Sequence, residues 1–572
     1  MSWIFKYLSP LRARITVGTL IKIIGTLAEL FIPFLLTHIL ENVIKTNEVS
    51  KILFYGVLMA ICAVVACLGN VIANRMAART TMIFSTQMRR DLFSRTLHLS
   101  SRNTDAFTIP SLEARITSDT YNVQNFIGMM QRMGLRAPIL LLGGTIITMI
   151  LDRKLALVMI ATLPLIFVIV YSISRKGVPL YSGVQASVDE MVRVVREDAQ
   201  GIRVIKALSQ IDYENRRYDR ANSTLKKKET TAGTIMGVVN PVMTLLMNLG
   251  IVAVVAVSAY YVSKETSSAT SVIAFMQYFT LISMAMMSLS RMFVMYTRCA
   301  ASANRISLVM ESESELTHRE DDGKGDQSLH ISFENVSFSY LGKKNDLKNI
   351  SFALKKGETL GIIGATGSGK STLVRILMRF YDVNSGVVRI NGRDVRSYSQ
   401  EELTSMFGVV FQNDFLYADT IEENIRFGRD ISKAAIENAA KIAQAHDFIT
   451  AFSDGYNHSV STGGTNLSGG QRQRVLISRA IAGRPEILIL DDSSSALDYK
   501  TDANLRRAIS SAFPNSTVIT VAQRVSSLKN CDQILVIDNG EIIGAGKHEE
   551  LLNSCPQYKE ISDSQMGGAF LE

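Results

Sequence analysis

Six long apolar stretches before residue 300 constrain this chain more than any other feature. They read roughly as 15–43, 52–72, 126–151, 155–173, 236–262 and 271–296. About 20 helical residues cross a hydrocarbon core about 30 Å thick, so each is long enough to span a membrane. A backbone in lipid must satisfy its own N–H and C=O groups, which makes runs of this kind helices. The mean hydropathy of +0.16 is high for a wholly soluble chain, and 572 residues exceed one ordinary domain. Neither an internal repeat nor a low-complexity tract is evident.

Arginine and lysine placement sets the orientation. Arg75, Arg79, Arg89, Arg90, Arg95, Arg102 and Arg115 lie between the second and third stretches, and a longer basic series from Arg175 to Lys228 lies between the fourth and fifth. By the positive-inside rule these connections are cytoplasmic, the short ones near Lys45, Asp152 and Lys264 face out, and both termini are cytoplasmic. The two inside segments are poor in Gly and Pro and carry apolar residues at helical spacing, which predicts helices continuing beyond the membrane. The start of the chain, Trp3 to Leu8, reads as an interfacial helix on the inner leaflet. The net charge of +9 flanks membrane spans, where it meets anionic lipid headgroups, so membrane lipid is an expected partner and nucleic acid is not. Cys62, Cys67, Cys299, Cys531 and Cys555 show neither a disulfide framework nor metal-ligand spacing.

Polar groups inside the spans invite a functional reading. Lys22 and Glu29 share a face of the first span, and they either line a water-filled pathway or, for Lys22, snorkel to the cytoplasmic side. Arg132, Arg136 and Arg291 leave the same two readings open. The last span is rich in methionine, with Met276, Met284, Met286, Met287, Met292 and Met295. Flexible, polarizable side chains of this type suit a surface for varied amphiphilic or drug-like cargo, although they also fill cores.

A charged, glycine-containing linker over 311–328, expected to be flexible, leads to a half of different character. Here Gly364, Thr366, Gly367, Ser368, Gly369, Lys370 and Ser371 complete the pattern G-x-x-x-x-G-K-[ST] between a strand-like run from Thr359 and a helix-like run through Thr372. Glycines let backbone N–H groups curl around phosphate oxygens, and the following helix points its positive end at them. Lys370 then reaches the β- and γ-phosphates, and the Ser371 hydroxyl ligates Mg²⁺. The apolar strand from Ile487 ends in Asp491, the place of a second magnesium-organising carboxylate. Binding of ATP or GTP with Mg²⁺ follows.

Leu467, Ser468, Gly469, Gly470 and Gln471 decide which machine the nucleotide drives. With this signature sequence the chain resembles the ATP-binding-cassette (ABC) transporters. The resemblance implies that Tyr340 stacks on adenine, that Gln412 joins Mg²⁺ to the transport domain, and that Ser495, Ala496, Leu497 and Asp498 form the loop across the cassette dimer. The run from Thr420 to Asn424 with Gly428 is typical of exporters. In that architecture helical hairpin tips press on the cassettes, here near 107–118 and 209–220. The implied organisation is a membrane domain over 1–310, the linker, an α/β P-loop cassette with a helical subdomain over 329–562, and a disordered tail over 563–572.

Three positions depart from the family pattern. Asp492 stands where a glutamate acts as general base, Gln523 where a histidine touches the γ-phosphate, and Ser461 with Thr462 where exporters usually carry an acidic residue. An aspartate reaches less far, and a displacement of about 1 Å can cost about a hundredfold in rate. A glutamine cannot become a cation. The signature is intact, so the chain is similar to the subunit of heterodimeric bacterial multidrug exporters that carries the degenerate site. The resemblance implies a slow ATP-holding site, an ATPase completed with a second half-transporter, and a place in the bacterial inner membrane. A homodimer, a lipid or peptide exporter, and a nucleotide-gated channel-like protein are the alternatives.

Overall fold

The computed structural model describes residues 2–262, 271–313, 316, 318–342, 344–493 and 495–567. The chain divides into two compact units, Met1–His98 with Phe107–Ser312, and Leu99–Ala106 with Glu313–Glu572.

The first unit is helical. It contains α1 (Ser2–Leu8), α2 (Arg12–His38) and α3 (Val49–Leu97); the short helix α4 (Ser101–Phe107) follows. Beyond it come α5 (Ile109–Ala114), α6 (Thr120–Met133), α7 (Arg136–Leu151), α8 (Arg153–Ala207), α9 (Ile211–Gly237), α10 (Val239–Val262) and α11 (Ser271–Met310). The 49 residues of α3 and 55 of α8 correspond to about 70–80 Å at about 1.5 Å per residue. That is more than twice the hydrocarbon thickness, which accounts for the helical extensions expected from the basic segments. Asp152 starts α8 by accepting hydrogen bonds from the backbone of Lys154 and Leu155, a cap that satisfies otherwise orphan N–H groups.

Five described helical segments are apolar and long enough to cross a membrane: Trp3–Val43, Val49–Leu97, Ile109–Leu151, Thr244–Tyr261 and Val272–Leu289. The fourth predicted span, 155–173, falls in α8, where several side chains, among them Leu163, Ile166 and Phe167, lie outside the described residues. Leu53, Phe54, Val57, Ile61 and Val64 of α3 are exposed, the inverse of a soluble helix and the pattern of a lipid-facing surface. At α1, Ile4 and Tyr7 are buried, with the Tyr7 ring edge-on to Phe84.

Helices α2 and α3 approach closely where Gly25 meets Gly69; a Cβ on Gly69 would lie 3.1 Å from Gly25 Cα. Small residues allow such contact in membranes. One turn away the question about Lys22 is answered: its Nζ donates to Asn70 Oδ1 at 2.8 Å and Asn74 Oδ1 at 3.1 Å, and the residue is only 2% exposed. It does not snorkel. Arg136 donates to both Glu29 oxygens, at 2.8 and 3.1 Å. The Tyr278 hydroxyl donates to the Leu30 carbonyl at 2.6 Å, tying α11 to α2. The methionine run divides: Met286 and Met287 pack with Met159, Phe279 and Ile282, whereas Met276 and Met284 are exposed.

The second unit is α/β. A four-stranded antiparallel sheet has the order β2-β1-β4-β5, from β1 (Ile331–Phe338), β2 (Leu347–Leu354), β4 (Ser385–Ile390) and β5 (Arg393–Asp394). A six-stranded sheet has the order β10-β9-β3-β8-β7-β6, from β3 (Thr359–Ile363), β6 (Phe407–Val410), β7 (Ile487–Asp491), β8 (Thr517–Val521), β9 (Gln533–Asp538) and β10 (Glu541–Gly546). Every residue of β7 is buried, as a parallel strand covered on both faces requires. The remaining helices are α12 (Lys370–Leu377), α13 (Gln400–Ser405), α14 (Ile421–Arg426), α15 (Lys433–Ile442), α16 (His446–Thr450), α17 (Gly469–Ala482), α18 (Tyr499–Ala512), α19 (His548–Ser554) and α20 (Pro556–Gly567).

Three sequence expectations need correction. The membrane domain expected over 1–310 is interrupted, because Leu99–Ala106 groups with the cassette, where the Tyr381 hydroxyl donates to Asp105 Oδ2 at 2.5 Å. The linker is tied down rather than loose, because Asp322 pairs with the nearly buried Arg389 at 2.7 Å and Arg319 N–H donates to the Arg396 carbonyl. The tail predicted from residue 563 is helical through Gly567; residues 568–572 lie outside the described residues.

Candidate active site

Strands β3, β8, β7 and β6 lie side by side and parallel, so the segments that follow them emerge on one edge. The glycine-rich loop follows β3, Gln523 follows β8, Asp491 ends β7, and Gln412 follows β6. Ligands of open α/β sheets bind at this carboxyl edge. There Thr366, Gly367, Gly369, Lys370, Ser371, Thr372, Gln412, Asp491, Asp492 and Gln523 line one cleft of about 240 Å³.

The loop geometry depends on glycine. Gly369 has φ of 107°, and a Cβ there would lie 2.9 Å from Leu347 Cδ2 and 3.1 Å from the Asp346 carbonyl. No side chain caps α12, which leaves its first N–H groups directed to the cleft. Lys370 Nζ curls back to donate to the carbonyls of Gly364 at 2.9 Å and Ala365 at 2.7 Å. Burial pulls its ammonium pKa down, and the charges of Asp491 and Asp492 oppose that pull.

Asp491 is 5% exposed. Burial pushes its carboxyl pKa up, against the hydrogen bond from Ser371. Asp492 has a left-handed backbone, φ 51°, a conformation that aspartate tolerates better than most residues. Its N–H donates to the Val521 carbonyl at 2.9 Å. Asp492 Oδ2 accepts from Gln412 Nε2 at 3.4 Å and from Gln523 Nε2 at 3.3 Å. Burial raises this carboxyl as well, and the Gln412 bond and Lys370 lower it.

The other predicted residues lie elsewhere. Ser468 opens α17 with a capping box: its hydroxyl accepts from Gln471 N–H while Gln471 Oε1 accepts from Ser468 N–H. Gly469 and Gly470 pack beneath Ala496, whose carbonyl would lie 3.2 Å from a Cβ on Gly470, so the signature and the 495–498 loop form one structure. Leu467 and Leu497 are buried under it, Asp498 caps α18 through Thr501 N–H, and Ser495 Oγ donates to the Asp492 carbonyl at 3.0 Å. Tyr340, Gly364 and Ser368 are not among the cleft-lining residues. The Tyr340 ring stands edge-on to Phe338 and Tyr381. Ser461, at the third departure, closes its own turn onto Asn466.

Lys344, Asn345, Asp346, Asn539 and Gly540 also line the cleft and were missed. The signal for two of them was the Asn-Gly pair, a strong hairpin-turn sequence: it joins β9 to β10, and Gly540 N–H donates to the Ser368 carbonyl at 3.0 Å.

Comparison with known proteins fits this geometry. The family model for the ABC transporter transmembrane region matches residues 15–286, and that for the ABC transporter domain matches residues 347–495. The chain is similar to the uncharacterized ABC transporter ATP-binding protein YfiB of Bacillus subtilis, 34% identical with 98% of each chain covered. It is also similar to the uncharacterized ABC transporter ATP-binding protein Rv1273c of Mycobacterium tuberculosis, 31% identical over 98% of this chain and 97% of that one. In fold it matches the structure of a bacterial Atm1-family ABC exporter with ATP bound, at a TM-score of 0.82 and 24% identity, covering 96% of this chain and 98% of the other. A transmembrane region fused to a cassette with an ordered phosphate loop makes this chain a multi-pass, ATP-binding member of the ABC transporters, with the ATPase activity that the family's domain implies.

Proposed function

We propose that this chain is one half of an ATP-driven exporter whose own nucleotide site holds ATP and turns it over slowly. The single observation that carries this reading is Asp492 Oδ2 receiving the amides of both Gln412 and Gln523. A general base needs a free lone pair aimed at the attacking water. Here the carboxylate is one methylene shorter than a glutamate, and two amide donors on its Oδ2 fix which way the group points. No group at 523 can carry a positive charge to the γ-phosphate.

ATP binding itself is well supplied. Lys370 and the open N-terminus of α12 take the phosphates. Ser371, Asp491 and Gln412 offer hydroxyl, carboxylate and amide oxygens, the hard donors that Mg²⁺ prefers, with phosphate oxygens and water completing its shell. Gln412 spends its amide N–H on Asp492 and keeps its carbonyl oxygen for the ion. Tyr340, whose hydroxyl donates to the cleft-lining Thr372 at 3.4 Å, is the aromatic this reading assigns to the adenine.

The signature serves a partner. Ser468 and Gly469 are exposed at the start of the 14-residue α17. The Ser468 hydroxyl accepts a bond within the capping box but still has its proton to donate to a phosphate. In a heterodimer of two half-transporters this surface completes the other chain's hydrolytic site. The reading places the pair in a bacterial inner membrane with cytoplasmic termini. Exposed Met276 and Met284 favour amphiphilic or drug-like cargo.

Two substitutions test the slow site. Asp492→Glu with Gln523→His in the full-length chain, purified with whatever partner it carries, should raise ATP turnover at least about tenfold. An unchanged rate sinks the reading. Mass determination of the purified assembly decides the partner: a second polypeptide of similar size supports the heterodimer, and a clean homodimer refutes it.

A further inference from the structure

The C-terminal helix α20 reaches the loop that carries Gln523. Tyr558 is fully buried in an apolar cluster with Ile363, Ala522, Val525 and Val536, and its hydroxyl meets His548 Nδ1 at 2.7 Å. Ser562, one turn on, is 2% exposed. Gln565 lies two turns beyond Tyr558, on the same face of the helix. From there its side chain grips the backbone on both sides of Arg524: Nε2 donates to the Gln523 carbonyl at 2.7 Å, and Oε1 accepts from Val525 N–H at 2.8 Å. The paired carbonyl and N–H require a side chain that donates and accepts at once, which also sets the amide orientation.

The grip sits between two backbone anchors of the loop. Ala522 N–H is bound to the Ile362 carbonyl at 3.1 Å, and beyond the loop Ser527 N–H is bound to the Arg524 carbonyl. Gln523 lies between these anchors, and its side chain meets Asp492.

We propose that Gln565 is a positioning residue for nucleotide hydrolysis, clamping the backbone at 523 and 525 so that the side chain at 523 stands against residue 492. The proposal rests on reading 523 as the γ-phosphate-facing position. A clamp of this kind acts on the rate more than on nucleotide affinity, because the phosphate loop that binds ATP is separate from it.

The test uses the full-length chain as purified, in the parental form and with Asp492→Glu plus Gln523→His. In the latter background Gln565→Ala should lower kcat about three- to tenfold while the KM for ATP changes less than about twofold. Gln565→Glu keeps the acceptor for Val525 and loses the donor to the Gln523 carbonyl, so it should fall between. Amide exchange at Val525 should quicken in Gln565→Ala, with the thermal midpoint unchanged. An unaltered kcat, a KM rise matching the loss in kcat, or a lowered midpoint overturns the proposal. If Asp492→Glu with Gln523→His fails to speed turnover, the slow-site reading falls by itself, and Gln565→Ala is judged on the parental chain's own rate.

Discussion

Gln523 Nε2 and Asp492 Oδ2 stand in hydrogen-bond contact at 3.3 Å, at the carboxyl edge of the sheet where the glycine-rich loop also emerges. The contact joins two of the three positions at which the sequence departs from the family pattern. A neutral amide beside a short carboxylate satisfies that carboxylate without supplying a charge that follows pH.

The first prediction uses that difference. An imidazole introduced by Gln523→His, with Asp492→Glu, faces a carboxylate that favours its protonated form. The gain in turnover should therefore grow as pH falls from about 8 towards about 6.5, the ordinary range of histidine. The parental chain should lack this rise; pH–rate profiles of both proteins check it.

Asp491 offers a test of stability against function. Burial raises its carboxyl pKa, so the folded protein binds that proton more tightly than the unfolded chain. The resulting cost is absent below the unfolded value of about 3.9 and complete above the folded value. Asp491→Asn should therefore raise the thermal midpoint of the nucleotide-free protein at pH 7, by about 2–4 °C per kcal/mol recovered. The advantage should shrink as pH falls through that window. The same variant should lose Mg²⁺-dependent ATP binding; calorimetric scans and nucleotide titrations read the two effects.

Lys22 and its amide partners predict an asymmetry. Asn70→Leu with Asn74→Leu leaves a buried ammonium without acceptors, whereas Lys22→Met removes the charge and leaves neutral amides. The asparagine variant should be the less stable, by roughly 1–3 kcal/mol. Thermal unfolding in detergent distinguishes them, and equal losses would contradict the geometry.

The Glu29–Arg136 pair should behave as a unit. Either Glu29→Gln or Arg136→Gln strands one charge among the spans and should destabilise by roughly 1–4 kcal/mol. Exchanging the two residues, Glu29→Arg with Arg136→Glu, should recover at least half of that loss. A double-mutant cycle on melting temperature measures the coupling.

Much of the architecture was readable because its causes are local. An apolar run needs only its own length to become a membrane helix, and a glycine-rich loop between a strand and a helix needs only its own backbone. The places where reading failed depend on distant partners. Asp321 and Asp322 look like loose linker charges until Arg389 meets them, and the residues after Ser562 look like tail until Tyr558 anchors their helix. Lys22 left two readings open because Asn70 and Asn74 lie far along the chain.

By itself, then, the sequence determined the membrane helices, the phosphate loop, the signature and the two substitutions at 492 and 523, since each is a matter of residue type at a fixed local spacing. Only the tertiary structure decided that Gln412 and Gln523 converge on one oxygen of Asp492, that Asn539 and Gly540 complete the cleft, and that Gln565 grips the backbone of Gln523 and Val525. The physical reason is strand order: β3, β8, β7 and β6 lie together in space but not in sequence, and hydrogen bonds between their ends exist only once the sheet has assembled.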